Sequence, residues 1–436
     1  MIDLRPALVP LPAAVLRLLK RLAAAGGRPL LVGGCVRDAL LARPTKDLDI
    51  EVHHLEAAEL RGVLREFGRV DEVGRAFGVF KLRLGGEELD VSLPRRDSKV
   101  GAGHKGIQAV ADPGLGVREA ARRRDLTVNA IAWDALSGEL LDPFGGVADL
   151  AAGRLRAVDD ESFVEDPLRA LRVAQFAARF GFQVAPELEA LCASMALGEL
   201  PAERVRGEVD KLLLKGRRPS LGWDFAWRAR LWARVIPAWD IACPPAIDRL
   251  AALPLESQPR RLAVLLAASA TGPGLLDTLE RLRVFTWEGY DVRAQALALD
   301  AARREETAAN EADRSVHSIV ATTHDGVHDV VATGAAAPSA DGAARAATRA
   351  RRLAERVDVE LYAALLDDPG LREVAESLGV LRAPLMPLLT GRDLLALGLP
   401  PGRQVGRILG EVRQAQLEGH LSSPEAALAW ARTRVR

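Results

Sequence analysis

The chain has 436 residues, too many for one hydrophobic core, so several domains are expected. Lys+Arg and Asp+Glu both total 59, so a globally basic or acidic character is excluded and any nucleic-acid surface has to be local. Three scattered cysteines without a CxxC pair, Cys35, Cys192 and Cys243, exclude a disulfide framework or a zinc knuckle. No apolar run reaches membrane-spanning length, and Met1–Pro6 lacks a secretory pattern, so a soluble cytoplasmic protein with no membrane partner is expected. Aromatic residues are only 4% of the chain while Ala, Leu and Arg abound, which favours helix over sheet for much of it.

In chain order, residues 12–25 predict an amphipathic helix, 28–32 a strand, 36–42 a helix, 47–52 a second strand and 55–67 a helix. Phe77–Leu84 alternates and ends at Gly85-Gly86, as a hairpin strand would, with 88–93 its partner. A Gly- and Lys-containing loop is expected from Pro94 to about Gly116. From Asp159 the strand signals fade. Helical periods run over 163–180, 202–214, 221–235 and 259–268. Residues 335–343, with Pro338 and Asp341-Gly342, read as a linker, and short helices follow from Leu388.

The densest chemistry lies at Leu31-Val32-Gly33-Gly34-Cys35-Val36-Arg37-Asp38 and Lys46-Asp47-Leu48-Asp49-Ile50. Glycines before a helix leave backbone N–H groups open to an anion. Residues two apart in a strand share a face, so Asp47 and Asp49 present two carboxylates together, the donor type that Mg²⁺ shares with substrate phosphates. Asp90, in Glu88-Leu89-Asp90-Val91-Ser92, is a candidate third acid. Three carboxylates on adjacent strands can hold two metals, one activating a hydroxyl and one stabilising a leaving phosphate. Its place in the alternation equally fits a plain solvent-facing strand residue.

Arg122-Arg123-Arg124-Asp125-Leu126-Thr127-Val128-Asn129 runs three arginines into a buried-looking element, where they suit phosphate and Asp125 suits holding one of them. In Glu165-Asp166-Pro167-Leu168-Arg169-Ala170-Leu171-Arg172, ordinary N-capping explains Asp166 and Pro167. It does not explain Asp166, Arg169 and Arg172 on one helical face, an acceptor with two donors that can read the edge of a base.

These motifs, in this order and spacing, resemble the class II tRNA nucleotidyltransferases, the CCA-adding enzymes, and their relatives the bacterial poly(A) polymerases. Asp142-Pro143-Phe144-Gly145-Gly146-x-x-Asp149-Leu150, Phe176-Ala177-Ala178-Arg179-Phe180-Gly181-Phe182 and Glu203-Arg204-Val205-x-x-Glu208-x-x-Lys211-Leu212-Leu213 match as well. So do Leu389-Thr390-Gly391-Arg392-Asp393-Leu394, Gln416-x-x-Gly419 and Glu425-Ala426-Ala427 in the tail; the middle matches weakly. The resemblance implies an α+β fold: a polymerase-β-like nucleotidyltransferase head (1–158), a helical neck that selects the nucleotide (159–218), a helical body (219–385) and a helical tail that binds tRNA (386–436).

It implies template-independent addition of C and A to tRNA 3′ ends from CTP and ATP. Asp47 and Asp49 would bind Mg²⁺, with Asp90 a further catalytic candidate. Gly34 and Arg37 would contact the triphosphate, Arg123 would hold the nucleotide, and Asp166 and Arg169 would select the base with Arg172 in support. Gly33, Asp38, Arg124, Asp125, Asn129 and Glu165 complete the candidate nucleotide site. Arg204, Arg206, Lys211 and Lys215, with Arg217 and Arg218 at the neck exit, are the expected RNA-binding cations, diluted by Glu203, Glu208 and Asp210. In the family it resembles, a flexible loop after the third acid accompanies addition of the terminal A, so the basic loop after Asp90 implies that the enzyme is not restricted to adding CC. An A-adding enzyme, a poly(A) polymerase and a silent RNA-binding protein are the rivals. Relatives that carry a phosphohydrolase place a His-Asp pair after an apolar helix. Here that helix, Leu265–Ala270, carries no ligand, and His317, His324-Asp325 and His328-Asp329 read as a polar surface segment, so no phosphohydrolase activity is expected.

Overall fold

The computed structural model describes residues 11–45, 47–73, 79–99, 107–197, 200–321 and 340–435. The chain divides into two units, Met1–Cys243 and Pro244–Arg436.

The first unit begins with α1 (Ala13–Ala24), β1 (Arg28–Val32), α2 (Gly34–Leu40), β2 (Asp47–His53) and α3 (Ala57–Arg65). It continues with β3 (Val70–Val73), β4 (Val79–Leu84), β5 (Glu87–Ser92), β6 (Arg95–Lys99), β7 (Ile107–Ala111), α4 (Val117–Arg122), β8 (Ala132–Asp134) and β9 (Glu139–Leu141). Seven strands form one mixed sheet in the order β3-β4-β5-β2-β1-β8-β9. The β2–β5 pair is parallel and the other neighbours are antiparallel. The central strands β1 and β2 are buried over most of their length, as strands covered on both faces must be. Val15, Leu18, Leu19 and Leu22 of α1 repeat with helical spacing and are all buried, packing α1 onto β1 and α3.

The expected loop after Leu93 is partly a hairpin. Arg95–Lys99 pairs antiparallel with Ile107–Ala111; the first strand, Arg-Arg-Asp-Ser-Lys, has no apolar residue to mark a period-2 alternation. The residues from Gly101 to Gly106 lie outside those described, as do Lys46, Phe77, Gly78 and Met1–Pro6.

Next come α5 (Gly146–Ala152), β10 (Arg154–Leu155), α6 (Asp160–Phe163), α7 (Leu168–Phe180), β11 (Gln183–Val184), α8 (Pro186–Ser194), α9 (Ala202–Lys215), α10 (Pro219–Arg228) and α11 (Leu231–Val235). The single helix expected over 163–180 is two, because Pro167 has no N–H and Asp166 caps the second by accepting from the Leu168 amide. The helix expected over 221–235 is likewise broken at Arg230, which has φ 56°. β10 and β11 add a short parallel ladder to the otherwise helical neck. α7 is buried on nearly every side, between α9 and α10. Gly222 lets α10 approach closely, since a β-carbon there would sit 2.2 Å from the Ala174 carbonyl oxygen.

The second unit holds α12 (Ile247–Ala251), α13 (Gln258–Ser269), α14 (Gly272–Arg281), a small hairpin of β12 (Thr286–Trp287) and β13 (Tyr290–Asp291), α15 (Val292–Ala321), α16 (Ala340–Ala354), α17 (Val359–Leu366), α18 (Pro369–Ser377), α19 (Gly391–Ala396), α20 (Arg403–Leu417) and α21 (Pro424–Val435). Leu262–Ala267 of α13 are buried core residues, packed against α12, α14, α15 and α17. Leu394, Ile408, Val412, Ala427 and Ala431 form a separate small core in the tail. Of the expected linker, residues 340–343 are helical and 335–339 lie outside those described, together with His324, Asp325, His328 and Asp329. Among the described residues no helix is long and apolar enough to cross a membrane.

Candidate active site

The turn from β1 into α2 sets the floor of the site. Gly33 has φ 75° and ψ −128°, backbone that a side chain strains. A β-carbon on it would stand 2.6 Å from Arg124 Nη1 and 3.8 Å from Asp49 Oδ2, so glycine is required by conformation and by space. Arg37, one turn later, is buried at 5% exposure. Its Nε donates to Asp38 Oδ1 at 2.8 Å and its Nη1 to Asn129 Oδ1. Its guanidinium lies 5.2 Å from the Phe176 ring and 4.7 Å from Phe180.

The acids stand on two adjacent parallel strands. Asp49 lies opposite Asp90, and Asp47 opposite Glu88. Burial, Asp90 and Asp47 all push the Asp49 carboxyl up, against the pull of Arg124. That conflict is what a divalent cation relieves. Among the described residues no three His, Cys, Asp or Glu side chains are grouped as a metal cage. Asp90 is instead paired with Lys81 at 3.0 Å. Two carboxylates, with substrate phosphates completing the shell, suit a hard cation such as Mg²⁺ better than an all-protein cage.

The three consecutive arginines point in three directions. Arg122 pairs with Asp159 at 2.9 Å. Arg123 donates to Glu51 Oε2 at 3.3 Å. Arg124 reaches Gly33 and faces the cleft. Glu51, absent from the sequence expectations, is buried; burial raises its carboxyl, but the His53 bond with Arg124 and Arg123 outweighs this and brings it to about 2. Its position two residues after Asp49 on β2 was the available signal.

Asp125 is the hub. It accepts from the Leu126 amide at 2.8 Å, Asn129 Nδ2 at 2.9 Å and Arg172 Nε at 2.7 Å. Burial pushes its carboxyl up, and Arg172, Asn129 and the amide together hold it below the ordinary range. Behind it, fully buried Asp149 accepts from Thr127 Oγ1 at 2.7 Å and pairs with Arg154 and Arg156. Asp142 takes the Gly146 and Val147 amides. The Asp142–Asp149 motif is thus a brace for the turn that carries Asp125 and Asn129.

α7, the turn before it and α9 supply the opposite wall. Asp166 Oδ2 accepts from Arg204 Nη2 at 2.8 Å. Arg169 donates to the Ser162 and Arg123 carbonyls at 2.6 and 2.8 Å. A cleft of about 450 Å³ gathers Gly34, Arg37, Asp49, Arg124, Asp125, Asn129, Asp166, Arg169 and Arg172 of the expected set, and adds Leu168, Phe176 and Arg204. Gly33, Asp38, Asp47, Asp90, Arg123 and Glu165 do not line it; Asp90 and Lys81 bound a neighbouring depression.

The expected RNA cations are largely engaged elsewhere. Arg204 belongs to the cleft, Arg206 pairs with Asp210 at 3.4 Å, and Lys211 pairs with buried Glu208 at 2.8 Å. Lys215 is exposed at the end of α9. Helical spacing alone does not separate cations turned to solvent from those turned to buried acids.

Residues 30–156 match the Poly A polymerase head domain. Over 213 residues the chain is 44% identical to the "Multifunctional CCA protein" of Nitrosomonas eutropha, covering 48% of this chain and 49% of that one. A protein of the same name from Nitrosococcus oceani is 48% identical over 187 residues, 42% of this chain and 44% of that one. The chain spans about half the length of the curated relatives it matches. Two solved structures share the fold across nearly the whole chain. The Thermotoga maritima CCA-adding enzyme complexed with tRNA has a TM-score of 0.65 at 21% identity, covering 96% of this chain and 94% of that one. The Bacillus stearothermophilus CCA-adding enzyme in complex with CTP has 0.61 at 24% identity, covering 97% of each.

Proposed function

We propose that this protein adds CCA, or its terminal A, to tRNA 3′ ends, using CTP and ATP with Mg²⁺ and releasing pyrophosphate, in the cytoplasm. The observation that carries the reading is one cleft in which Gly34 and Arg37 adjoin Asp49 on one side and Asp166, Arg169 and Arg172 on the other. A phosphate grip, a metal-suited acid and a base-edge reader are gathered there, so the incoming base is chosen by side chains and no template is needed. The resemblance to CCA proteins supports the same reading.

In this mechanism Arg37, held by Asp38 and Asn129, grips the triphosphate. Arg124 adds a second cation beside Asp49. Asp166 accepts from the exocyclic amine of C or A while Arg169 donates to ring acceptors, and Arg172 fixes Asp125 beneath them. Asp47 and Asp49 would hold Mg²⁺, which when bound lowers the cost of the attacking 3′-oxygen and the leaving pyrophosphate. Burial and the neighbouring Asp90 and Asp47 raise the Asp49 carboxyl, a penalty that a cation held there would offset.

The test is incubation with tRNA ending before CCA, after C, or after CC, with CTP and ATP supplied separately. Completion of all three substrates to CCA is the expected result. Extension only after CC assigns A addition alone, and long A tracts assign poly(A) synthesis. Asp47→Ala should abolish addition while leaving the melting curve intact; retained activity sinks the assignment.

A further inference from the structure

Next to the cleft lies a group of cations that the proposed chemistry does not use. The Phe180 ring at the end of α7 carries three guanidiniums: Arg37 at 4.7 Å, Arg43 at 4.7 Å and Arg179 at 5.2 Å from its centroid. Phe176 stacks on Phe180 at 5.7 Å. The Arg218 amide donates to the Ala178 carbonyl at 3.0 Å, which brings the exposed segment with Arg217 against the same helix end.

Arg37 is paired with Asp38. Among the described residues, Arg43, Arg179 and Arg217 have no carboxylate within salt-bridge range. The acids nearest in charge are already engaged, Asp38 by Arg37 and Glu208 by Lys211. Burial and the neighbouring arginines, Arg217 foremost, depress Arg43, and burial with Arg37 and Arg43 depresses Arg179. Stacking on one ring offsets part of this repulsion but supplies no counter-charge. Converging guanidiniums without an acid are suited to a phosphate, which each can meet with two parallel hydrogen bonds.

We propose that Arg43, Arg179 and Arg217 form a binding site for backbone phosphate of the RNA substrate, outside the nucleotide cleft. The proposal rests on the functional reading above. None of the three lines the cleft, whereas Arg37, on the same ring, does. The cluster therefore adjoins the nucleotide without sharing its seat, as a contact to the chain being extended must.

The test uses the full-length protein and fluorescein-labelled tRNA ending before CCA, with binding followed by anisotropy across a salt series. For Arg43→Gln/Arg217→Gln, Kd should rise on the order of tenfold at low salt. The slope of log K against log salt should become shallower by about 1.4, two contacts at roughly 0.7 each. KM for CTP and ATP at saturating tRNA should stay within about twofold of wild type. Unchanged Kd and slope overturn the cluster, and so does a raised nucleotide KM with unchanged tRNA binding. If the double variant melts early, Arg217→Gln alone, at an exposed position, must make the slope shallower by about 0.7; an unchanged slope also overturns it. Wild-type protein that neither binds nor extends tRNA refutes the functional reading and this proposal with it. Wild-type extension with indifferent variants refutes the cluster alone.

Discussion

Replacing Asp125 by Asn tests whether the hub couples base reading to the phosphate grip. The substitution keeps shape and removes charge. One amide oxygen can still accept from the Leu126 amide and Asn129. The amide nitrogen must then face Arg172, whose Nε and Nη2 both lie 2.7 Å from Asp125 Oδ2, so donors oppose donors. A charge-assisted hydrogen bond contributes roughly 1.5–3 kcal/mol. The Arg172 side chain is 34% exposed, so solvent screening brings the expected loss to about 2 kcal/mol. At about 2–4 °C per kcal/mol, the first unit should melt roughly 4–8 °C lower. If the same interaction is lost in nucleotide binding, kcat/KM for both CTP and ATP should fall roughly 10- to 30-fold. The pH dependence has a definite sign. The folded carboxyl lies below its ordinary value, so its stabilisation is present at neutral pH and lost as pH falls through the folded value. Asp125→Asn should remove that acid limb. A variant with wild-type melting and unchanged nucleotide KM refutes the coupling.

Two further substitutions address the floor of the site. Gly33→Ala forces a side chain onto φ 75° and into Arg124 Nη1, at a cost of about 1–3 kcal/mol. Its nucleotide KM should rise more than its melting temperature falls, and the reverse pattern would show that Arg124 is not displaced. Glu51→Gln removes a carboxyl held at about 2 against an ordinary 4.5, a stabilisation present above the ordinary value and lost as pH drops toward the folded one. The gap in urea stability between wild type and Glu51→Gln should be about 2–3 kcal/mol near neutrality and close toward about pH 2; a gap that persists in acid contradicts the pairing.

The strands that carry the acids were legible because period-2 patterning and residue type agree: Leu48 and Ile50 enter the core while Asp47 and Asp49 share the other face. Arg169 and Arg172 share a face of α7 for the corresponding helical reason, whereas Asp166, expected on the same face, sits in the turn before the helix. Illegible were partnerships between residues far apart in sequence. Three consecutive arginines are identical as letters, and only the fold sends one to Asp159, one to Glu51 and one to Gly33. Arg204 read as a surface cation because its acid, Asp166, lies 38 positions away. The β6–β7 hairpin was hidden because β6 is polar throughout, so no apolar alternation announces its pairing.

The expected boundary after residue 158 runs through the cleft itself. Gly34, Arg37 and Asp125 stand before it, and Asp166, Arg172, Phe176 and Arg204 after it. The first unit runs unbroken to Cys243, and the side chains say why. Arg172 bonds Asp125, Asp125 bonds Asn129, and Asn129 bonds Arg37, which is stacked on Phe176 and Phe180 of α7. The path starts on α7, crosses the head and returns to α7; its hydrogen-bonded members are buried or half-buried and charged or amide, and its last link is Arg37 on the two phenylalanine rings. Such a loop has few soft degrees of freedom, since displacing one member leaves a buried charge unpaired. Sequence divides the chain where strands give way to helices. Packing divides it only after Arg172, Asp125, Asn129 and Arg37 have been locked to one another; if a nucleotide is held from both sides as proposed, that locking would fix the separation of the two walls before it arrives.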